Sequence, residues 1–134
     1  MEEEWQRAIE RGELAAVRHL LERGAAVDSK DRYGQTALMI AATRGQTEVV
    51  KLLIHNGAEL NLTAKYHLSA LMLAVVNSHE EIVRLLTDAG ADTQIRGTGA
   101  PGFSGKTALE LAEEAGRGEI AAILRRAAGR ITGD

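Results

Sequence analysis

The feature that most constrains this chain is a sequence repeat with a period of 33 residues. A shift by that period aligns Gly24 with Gly57 and then with Gly90. The same shift aligns Leu53 with Leu86, so apolar positions recur together with the glycines. A fixed period of this length is typical of stacked repeat proteins, in which each unit buries its apolar face only against its neighbours. The period therefore predicts a repeat array.

Two short helices are predicted within the central unit, residues 31–63. The unit opens with the turn sequence DRYG at residues 31–34, whose glycine is free to take a positive φ. Thr36 is a natural N-cap for the first helix, and Gly45 ends that helix. The second helix carries the bulkier aliphatic residues that we expect to be buried, namely Val49, Val50, Leu52 and Leu53.

This unit resembles an ankyrin repeat. Its first helix reads Thr-Ala-Leu-Met-Ile-Ala-Ala, and its second ends in Asn-Gly-Ala-Glu-Leu-Asn, close to the patterns of that family. The resemblance is full over residues 31–96 and degenerate over residues 1–30 and 97–127. It implies an all-α fold, an ankyrin solenoid of stacked helix-turn-helix pairs joined by short β-hairpin-like turns. A tetratricopeptide array is excluded because its period is one residue longer and its signature positions are missing.

The resemblance implies a single domain, residues 1–134, built from four units. These are an N-terminal capping repeat (1–30), two repeats (31–63 and 64–96) and a C-terminal repeat with a five-residue insertion and a short tail (97–134). The insertion follows from the 38 residues that separate Ser69 from Thr107. It is rich in glycine and contains the only proline of the chain. The last two helices are predicted over about residues 107–115 and 117–127, with a frayed tail from Gly129.

The third unit departs from the family pattern at two glycine positions. His67 stands where the turn glycine is expected, and histidine tolerates positive φ better than most side chains do. Ser78 replaces the glycine that ends the first helix, and residues 78–81 read as a capping box for the second. A further capping box is predicted at residues 107–110 of the last unit.

Charge and composition exclude several classes of protein. The formal net charge of −3 argues against a nucleic-acid-binding protein, which usually shows a basic stripe. The chain has no cysteine for a disulfide or a thiolate metal site. No apolar run approaches the roughly 18 residues of a membrane span, and the acidic start of the chain is unlike a signal peptide. We therefore expect a cytoplasmic monomer that contacts neither nucleic acid nor membrane.

A glycine-rich segment offers one candidate phosphate site. Residues 97–102 satisfy the GxGxxG pattern, and residues 100–107 match a phosphate-binding loop except for alanine at the first position. Backbone donors before a helix, with Lys106 beside them, would suit an anion. Both patterns require a buried strand before the loop, however, and residues 90–96 are not an apolar run. The repeat register already accounts for Gly105.

The remaining polar residues do not predict a catalytic, metal or cofactor site. Adjacent glutamates on the predicted helices point to different faces, which suits solvation better than acid–base chemistry. A metal site needs three or four converging ligands, and no histidine belongs to a zinc-binding spacing such as HExxH. The four histidines stand at unrelated positions of the repeat, at His19, His55, His67 and His79. We expect no enzyme and no cofactor.

The resemblance marks the turn tips and the outer positions of each first helix as the usual binding face. In this chain those positions are Arg32, Tyr33, Gln35, Thr43, Arg44, Lys65, Tyr66, Leu68, Val76, Asn77, Phe103 and Lys106. Tyrosine is common at this turn position in the family, which is also a structural explanation for both tyrosines. Leu68, Val76 and Phe103 are apolar where the period predicts exposure, and aromatic anchors flanked by cations resemble an interface hot spot.

The sequence favours a protein–protein interaction module that presents a rigid concave surface to a protein partner and has no catalytic activity. Two alternatives stay open. One is a phosphate- or nucleotide-responsive protein that uses the loop at residues 97–107. The other is an engineered ankyrin scaffold without a natural partner. The irregular residues His67 and Ser78, together with the insertion, favour a natural sequence.

Overall fold

The computed structural model describes residues 1–99 and 102–131 of the chain. This part of the chain contains helices and turns, with two isolated β-bridges as its only sheet-like pairing. The helices are α1 (Glu3–Arg11), α2 (Leu14–Glu22), α3 (Ala37–Arg44), α4 (Thr47–His55), α5 (Ala70–Val76), α6 (Glu80–Asp88), α7 (Ala108–Glu114) and α8 (Gly118–Ile131). A turn at Lys65–His67 precedes α5. The predicted all-α fold is therefore confirmed.

The helices stack in two rows. Each odd-numbered helix packs against the even-numbered helix that follows it, so the chain forms helical pairs. The first helices of successive pairs also pack on one another, α1 on α3, α3 on α5 and α5 on α7. The second helices form the other row, from α2 through α4 and α6 to α8. This is the arrangement of a helical repeat solenoid.

The core lies between the two rows and continues from one end of the stack to the other. In α3, the six residues from Ala37 to Ala42 are all buried, because this helix has neighbours on nearly every side. Leu53 of α4 and Leu86 of α6 are fully buried at equivalent positions of their units, as the period predicts. Leu52 is only partly buried, contrary to our expectation, because it lies at the edge of the face formed by its buried neighbours.

Polar caps recur at the start of the first helices. The Thr36 hydroxyl accepts a hydrogen bond from the Met39 backbone N–H, and Ser69 does the same for Met72, both at 3.3 Å. Each cap satisfies a donor that the first turn of the helix leaves free.

The predicted capping box of the last unit is confirmed. The Thr107 hydroxyl accepts from the Glu110 backbone N–H at 3.3 Å, while the Glu110 carboxylate accepts from the Thr107 backbone N–H at 3.1 Å. That backbone hydrogen bond, then the Thr107 hydroxyl and the Arg96 guanidinium, hold the pKa of Glu110 below its usual value. The carboxylate is therefore kept charged, which the capping box requires.

The predicted capping box at residues 78–81 is wrong. Ser78 has a φ of 60° and occupies the left-handed position that Gly45, with a φ of 73°, holds one unit earlier. Because an N-cap residue needs an extended backbone, Ser78 cannot end α5 in this way and also cap α6. His79 precedes α6 instead, and its side chain makes no capping hydrogen bond.

The end of the chain is more helical than expected. Helix α8 continues through Ile131, so Arg125 lies within the helix, where its guanidinium is 2.7 Å from the Glu113 carboxylate. The predicted fraying from Gly129 is therefore wrong as far as Ile131. The remaining tail, residues 132–134, lies outside the described residues.

Truncation of Leu53 tests the repeat register. We expect Leu53→Ala to lower the free energy of unfolding by about 2–5 kcal/mol, because a fully buried leucine leaves a cavity between units. The measurement is chemical denaturation followed by circular dichroism. Leu52→Ala is the matched control, and its smaller buried area predicts a smaller loss. Equal losses for the two variants would contradict the register.

Ser78→Gly tests the left-handed turn between α5 and α6. Glycine adopts positive φ without the steric cost that serine incurs, and it loses more chain entropy on folding. We expect a net gain of about 0.5–1 kcal/mol in the free energy of unfolding, measured by chemical denaturation. Ser78→Ala is the control and should give no such gain. A loss of stability in Ser78→Gly would show that the serine side chain has a structural role.

Candidate functional site

A groove lies between the turns of the second and third units. Its volume is about 540 Å³, within the range of small-ligand pockets. Six of the twelve predicted surface residues line it: Arg32, Tyr33, Gln35, Lys65, Tyr66 and Leu68. Two lining residues were not predicted, Ala64 and Leu73. Ala64 adjoins the predicted Lys65 in the chain, and Leu73 lies about one helical turn before the predicted Val76, so closeness to predicted residues was the signal that could have identified them.

The same hydrogen bonds close both turns. In the second unit the Asp31 N–H donates to the Gln35 carbonyl at 2.9 Å. One period later the Ala64 N–H donates to the Leu68 carbonyl, also at 2.9 Å. The substitution of glycine by histidine in the third unit has therefore left this turn pairing intact. The two turns present their side chains side by side along the groove.

The third-unit turn nevertheless takes a different backbone path. His67 has a φ of 61°, as expected, but Tyr66 also has a positive φ, 65°, which the sequence did not predict. In the second unit only Gly34 of the turn is left-handed, with a φ of 78°. Positive φ costs a non-glycine residue about 1–2 kcal/mol, so the surrounding structure must hold Tyr66 and His67 in place.

The inserted loop, which is the segment from Arg96 to Lys106 that contains the five extra residues, supplies that support. The Thr98 N–H donates to the Tyr66 carbonyl at 2.7 Å. The His67 ring is hydrogen-bonded through Nδ1 to the Arg96 carbonyl at 2.8 Å. Gly99 lies under the tyrosine ring, where an added Cβ would be only 3.2 Å from Tyr66 Cδ1. The insertion thus fixes one wall of the groove, a role that its length and glycine content alone did not reveal.

Two tyrosines with cations stacked on their rings project beside the groove. Tyr33 is 62% exposed and Tyr66 is 41% exposed, which places them among the most exposed large apolar side chains described. The Arg32 guanidinium lies 5.0 Å from the centre of the Tyr33 ring. Lys65 Nζ lies 5.0 Å from the centre of the Tyr66 ring. Both are cation–π distances, so each turn presents a paired aromatic and cationic side chain.

The apolar residues singled out by the sequence are less exposed than expected. Leu68 and Phe103 are partly buried and pack against the core, because the turn and the inserted loop fold back onto the stack. Leu68 therefore lies against the core as part of the groove lining, together with Leu73. Only Val76 of the three is exposed, at 39%.

The other predicted residues lie outside the groove lining, and four of them have partners within the chain. The Thr43 hydroxyl donates to the Met39 carbonyl at 2.9 Å, and the Asn77 amide donates to the Leu73 carbonyl at 2.8 Å. These are local helical contacts. Arg44 donates to the Glu10 carbonyl at 3.2 Å, and Lys106 pairs with Glu114 at 2.6 Å. These side chains are less available to a partner than those of the groove.

The glycine-rich loop lacks the structural context of a phosphate site. The isolated bridge between Gly97 and Ser104 is its only sheet-like pairing among the described residues, and no strand precedes it there. Gly105 has a φ of 76°, close to that of Gly34, as the shared turn register predicts. The Lys106 ammonium group is already paired with a carboxylate. Residues 100–101 of both sequence patterns lie outside the described part of the chain.

Two histidines have structural roles. His79 Nε2 lies 3.0 Å from the Thr43 carbonyl oxygen, and the ring covers Gly45, where a Cβ would be 2.6 Å from it. His67 connects the third-unit turn to the inserted loop. Within residues 1–99 and 102–131, no three histidine or acidic side chains are grouped closely enough to hold a metal ion.

The helices of the described residues can also be compared with what a membrane span requires. None of them combines the length and the apolar character needed to cross a bilayer.

A family model described as ankyrin repeats, in three copies, matches residues 5–97. The matched segment includes most of α1 and all of α2 to α6, together with both turns of the groove. Helices α7 and α8 lie beyond the match but continue the same two rows of the stack. A search of the curated proteins found no match.

A nucleotide titration tests the glycine-rich loop. We expect ATP with magnesium to leave the melting temperature unchanged, because a ligand that does not bind gives no stabilisation by linkage. The measurement is differential scanning fluorimetry on the intact chain and on Lys106→Ala. An upward shift in the intact chain that disappears in Lys106→Ala would contradict this expectation and restore the phosphate-binding hypothesis.

Proposed function

Because the chain belongs to the ankyrin repeat family, whose members generally act as protein–protein interaction modules, we propose that it binds a protein partner through its turn row. We define the turn row as the twelve surface residues predicted from the sequence, with the groove at its centre. The family is typically non-catalytic, and the proposal assigns no reaction to this chain. A cytoplasmic location and a monomeric state remain predictions.

The observation that carries the proposal is the groove between the two turns. It combines exposed aromatic rings, cations and apolar lining residues, which is the composition of interface centres that contribute most to binding energy. Single exposed apolar residues are common on any protein, but these lie together at equivalent positions of adjacent units. Their grouping supports a binding role for the turn row.

Rigid display is the proposed mechanism. Backbone hydrogen bonds close both turns, and the inserted loop holds the third-unit turn from the side of Tyr66 and His67. A partner would then meet a surface whose backbone is already ordered. Binding to a preformed surface avoids much of the entropy cost of ordering loops, which leaves more of the interaction free energy as affinity.

The phosphate-responsive alternative receives no support from a specific observation. Lys106, the cation that it requires, is paired with Glu114. The groove, by contrast, has two cationic side chains, Arg32 and Lys65, among its lining residues. We therefore retain the interaction module as the single proposal.

Alanine substitution at the tyrosines tests the proposal. A partner is first captured from an extract of the source organism on the immobilised chain and identified by mass spectrometry. Its dissociation constant is then measured by calorimetry for the parent, Tyr33→Ala and Tyr66→Ala. We expect Tyr66→Ala to weaken binding by at least about 2 kcal/mol, or roughly 30-fold, because central aromatic residues dominate interfaces.

Two controls distinguish the loss of a contact with the partner from the loss of folded structure. Arg84→Ala removes a side chain on α6 that pairs with Glu80 at 3.3 Å, away from the turn row, and should leave the affinity unchanged. The hydrogen bonds that join the third-unit turn to the inserted loop involve Tyr66 and His67. Tyr33 belongs to the second-unit turn, so Tyr33→Ala leaves those hydrogen bonds in place. Melting curves should be similar for all variants. If Arg84→Ala weakens binding and neither tyrosine variant does, the partner uses the second-helix row and the proposal is wrong.

A further inference from the structure

The groove is cationic on a protein with a negative formal charge. Arg32 and Lys65 contribute two positive charges to its lining, and none of the eight lining residues is acidic. The whole chain, in contrast, carries a formal net charge of −3. The nearest acidic residue in the sequence is Asp31. Its Oδ1 accepts hydrogen bonds within its own turn, from the Tyr33 and Gln35 N–H groups, both at 2.9 Å.

These two cations are also free of carboxylate partners within the described residues. The ion pairs found there involve other basic residues, namely Arg7, Lys51, Arg84, Arg96, Lys106 and Arg125. Arg32 and Lys65 lie instead over the faces of Tyr33 and Tyr66. An aromatic face orients a cation without neutralising its charge, so both cations remain able to pair with an incoming anion.

The lining also provides an apolar surface beside the cations. Ala64, Leu68 and Leu73 are partly buried and line the groove together with the two tyrosines. A nucleic acid could stack bases on the two tyrosines, but it would need a longer run of cations than two turns provide, and it would leave the aliphatic residues of the lining uncovered. A peptide with acidic and apolar side chains would match both components of the groove.

We propose that the groove binds an extended acidic peptide segment of the partner. One or more carboxylates of the segment pair with Arg32 and Lys65, and a neighbouring apolar side chain lies between the tyrosines against Leu68 and Leu73. This inference rests on the proposed function, because it names the chemistry of the partner at the same surface. Electrostatic complementarity of this kind contributes selectivity and a faster association rate in addition to affinity.

Selection from a random peptide library tests the inference. Phage-displayed peptides are selected on the immobilised full chain and sequenced, and we expect the enriched peptides to contain aspartate or glutamate next to apolar residues. One enriched peptide is then labelled with fluorescein and titrated by fluorescence anisotropy against the parent, Arg32→Gln, Lys65→Gln and the double variant. Each single substitution should weaken binding by about 2- to 5-fold, as for a partly solvated ion pair.

Lys51→Gln is the matched control. It removes the same charge from an exposed position on α4, outside the groove, where Lys51 pairs with Glu48 at 3.2 Å. Its effect on affinity should be smaller than that of either groove variant, and the effect of the groove variants should diminish as salt is added. Because Arg32, Lys65 and Lys51 are all exposed, melting curves should be similar for every variant.

The possible outcomes distinguish this inference from the function on which it rests. Enrichment of neutral or basic peptides would overturn the inference and leave the interaction module intact. Acidic peptides whose affinity falls equally in Lys51→Gln and in the groove variants would also overturn it. Displacement of the labelled peptide by an equal concentration of a single-stranded oligonucleotide would show general attraction of polyanions and overturn it as well. No enrichment on the parent chain would also overturn the inference, while the proposed function would still be decided by a captured partner and the tyrosine variants.

Discussion

Contact between neighbouring repeat units is the constraint on which the rest of this structure depends. A single pair of short helices has too little apolar surface to remain folded, so each pair buries its residues against the next. The first helices can approach one another closely where their side chains are small, as at the fully buried Ala37, Ala41 and Ala42. The second helices contribute larger residues, with Leu53 and Leu86 fully buried at equivalent positions. Once these rows are stacked, the turns that precede the first helices are brought side by side.

The groove follows from that stacking and from one irregularity. Equivalent hydrogen bonds close the turns of the second and third units, so their side chains lie in register. In the third unit two non-glycine residues, Tyr66 and His67, adopt positive φ. The inserted loop holds them through the Thr98 N–H, the Arg96 carbonyl and the packing of Gly99. The inserted loop, which interrupts the repeat, thus positions the Tyr66 side chain of the third unit. The stack and the loop together make the groove a preformed surface.

Much of the fold could be predicted from the sequence, because the period records which positions face a neighbouring unit. The caps at Thr36 and Thr107 and the left-handed glycines also followed from local chemistry. The capping box predicted at Ser78 was wrong because serine suits an N-cap and, less well, a left-handed position. Only the connection to α6 decides between the two. The partial burial of Phe103 and the positive φ of Tyr66 depend on contacts between distant parts of the chain, which no local pattern contains.

The central claim is that a partner occupies the groove between the two turns. The most direct measurement is a titration of the isotope-labelled chain with a selected partner, followed by backbone amide shifts in nuclear magnetic resonance spectra. We expect the largest shifts at residues 32–35 and 64–68, with smaller ones where the inserted loop supports Tyr66. Amides of α4 and α6 facing away from the turns should change little. Shifts concentrated in those two helices, with the turns unchanged, would contradict the account.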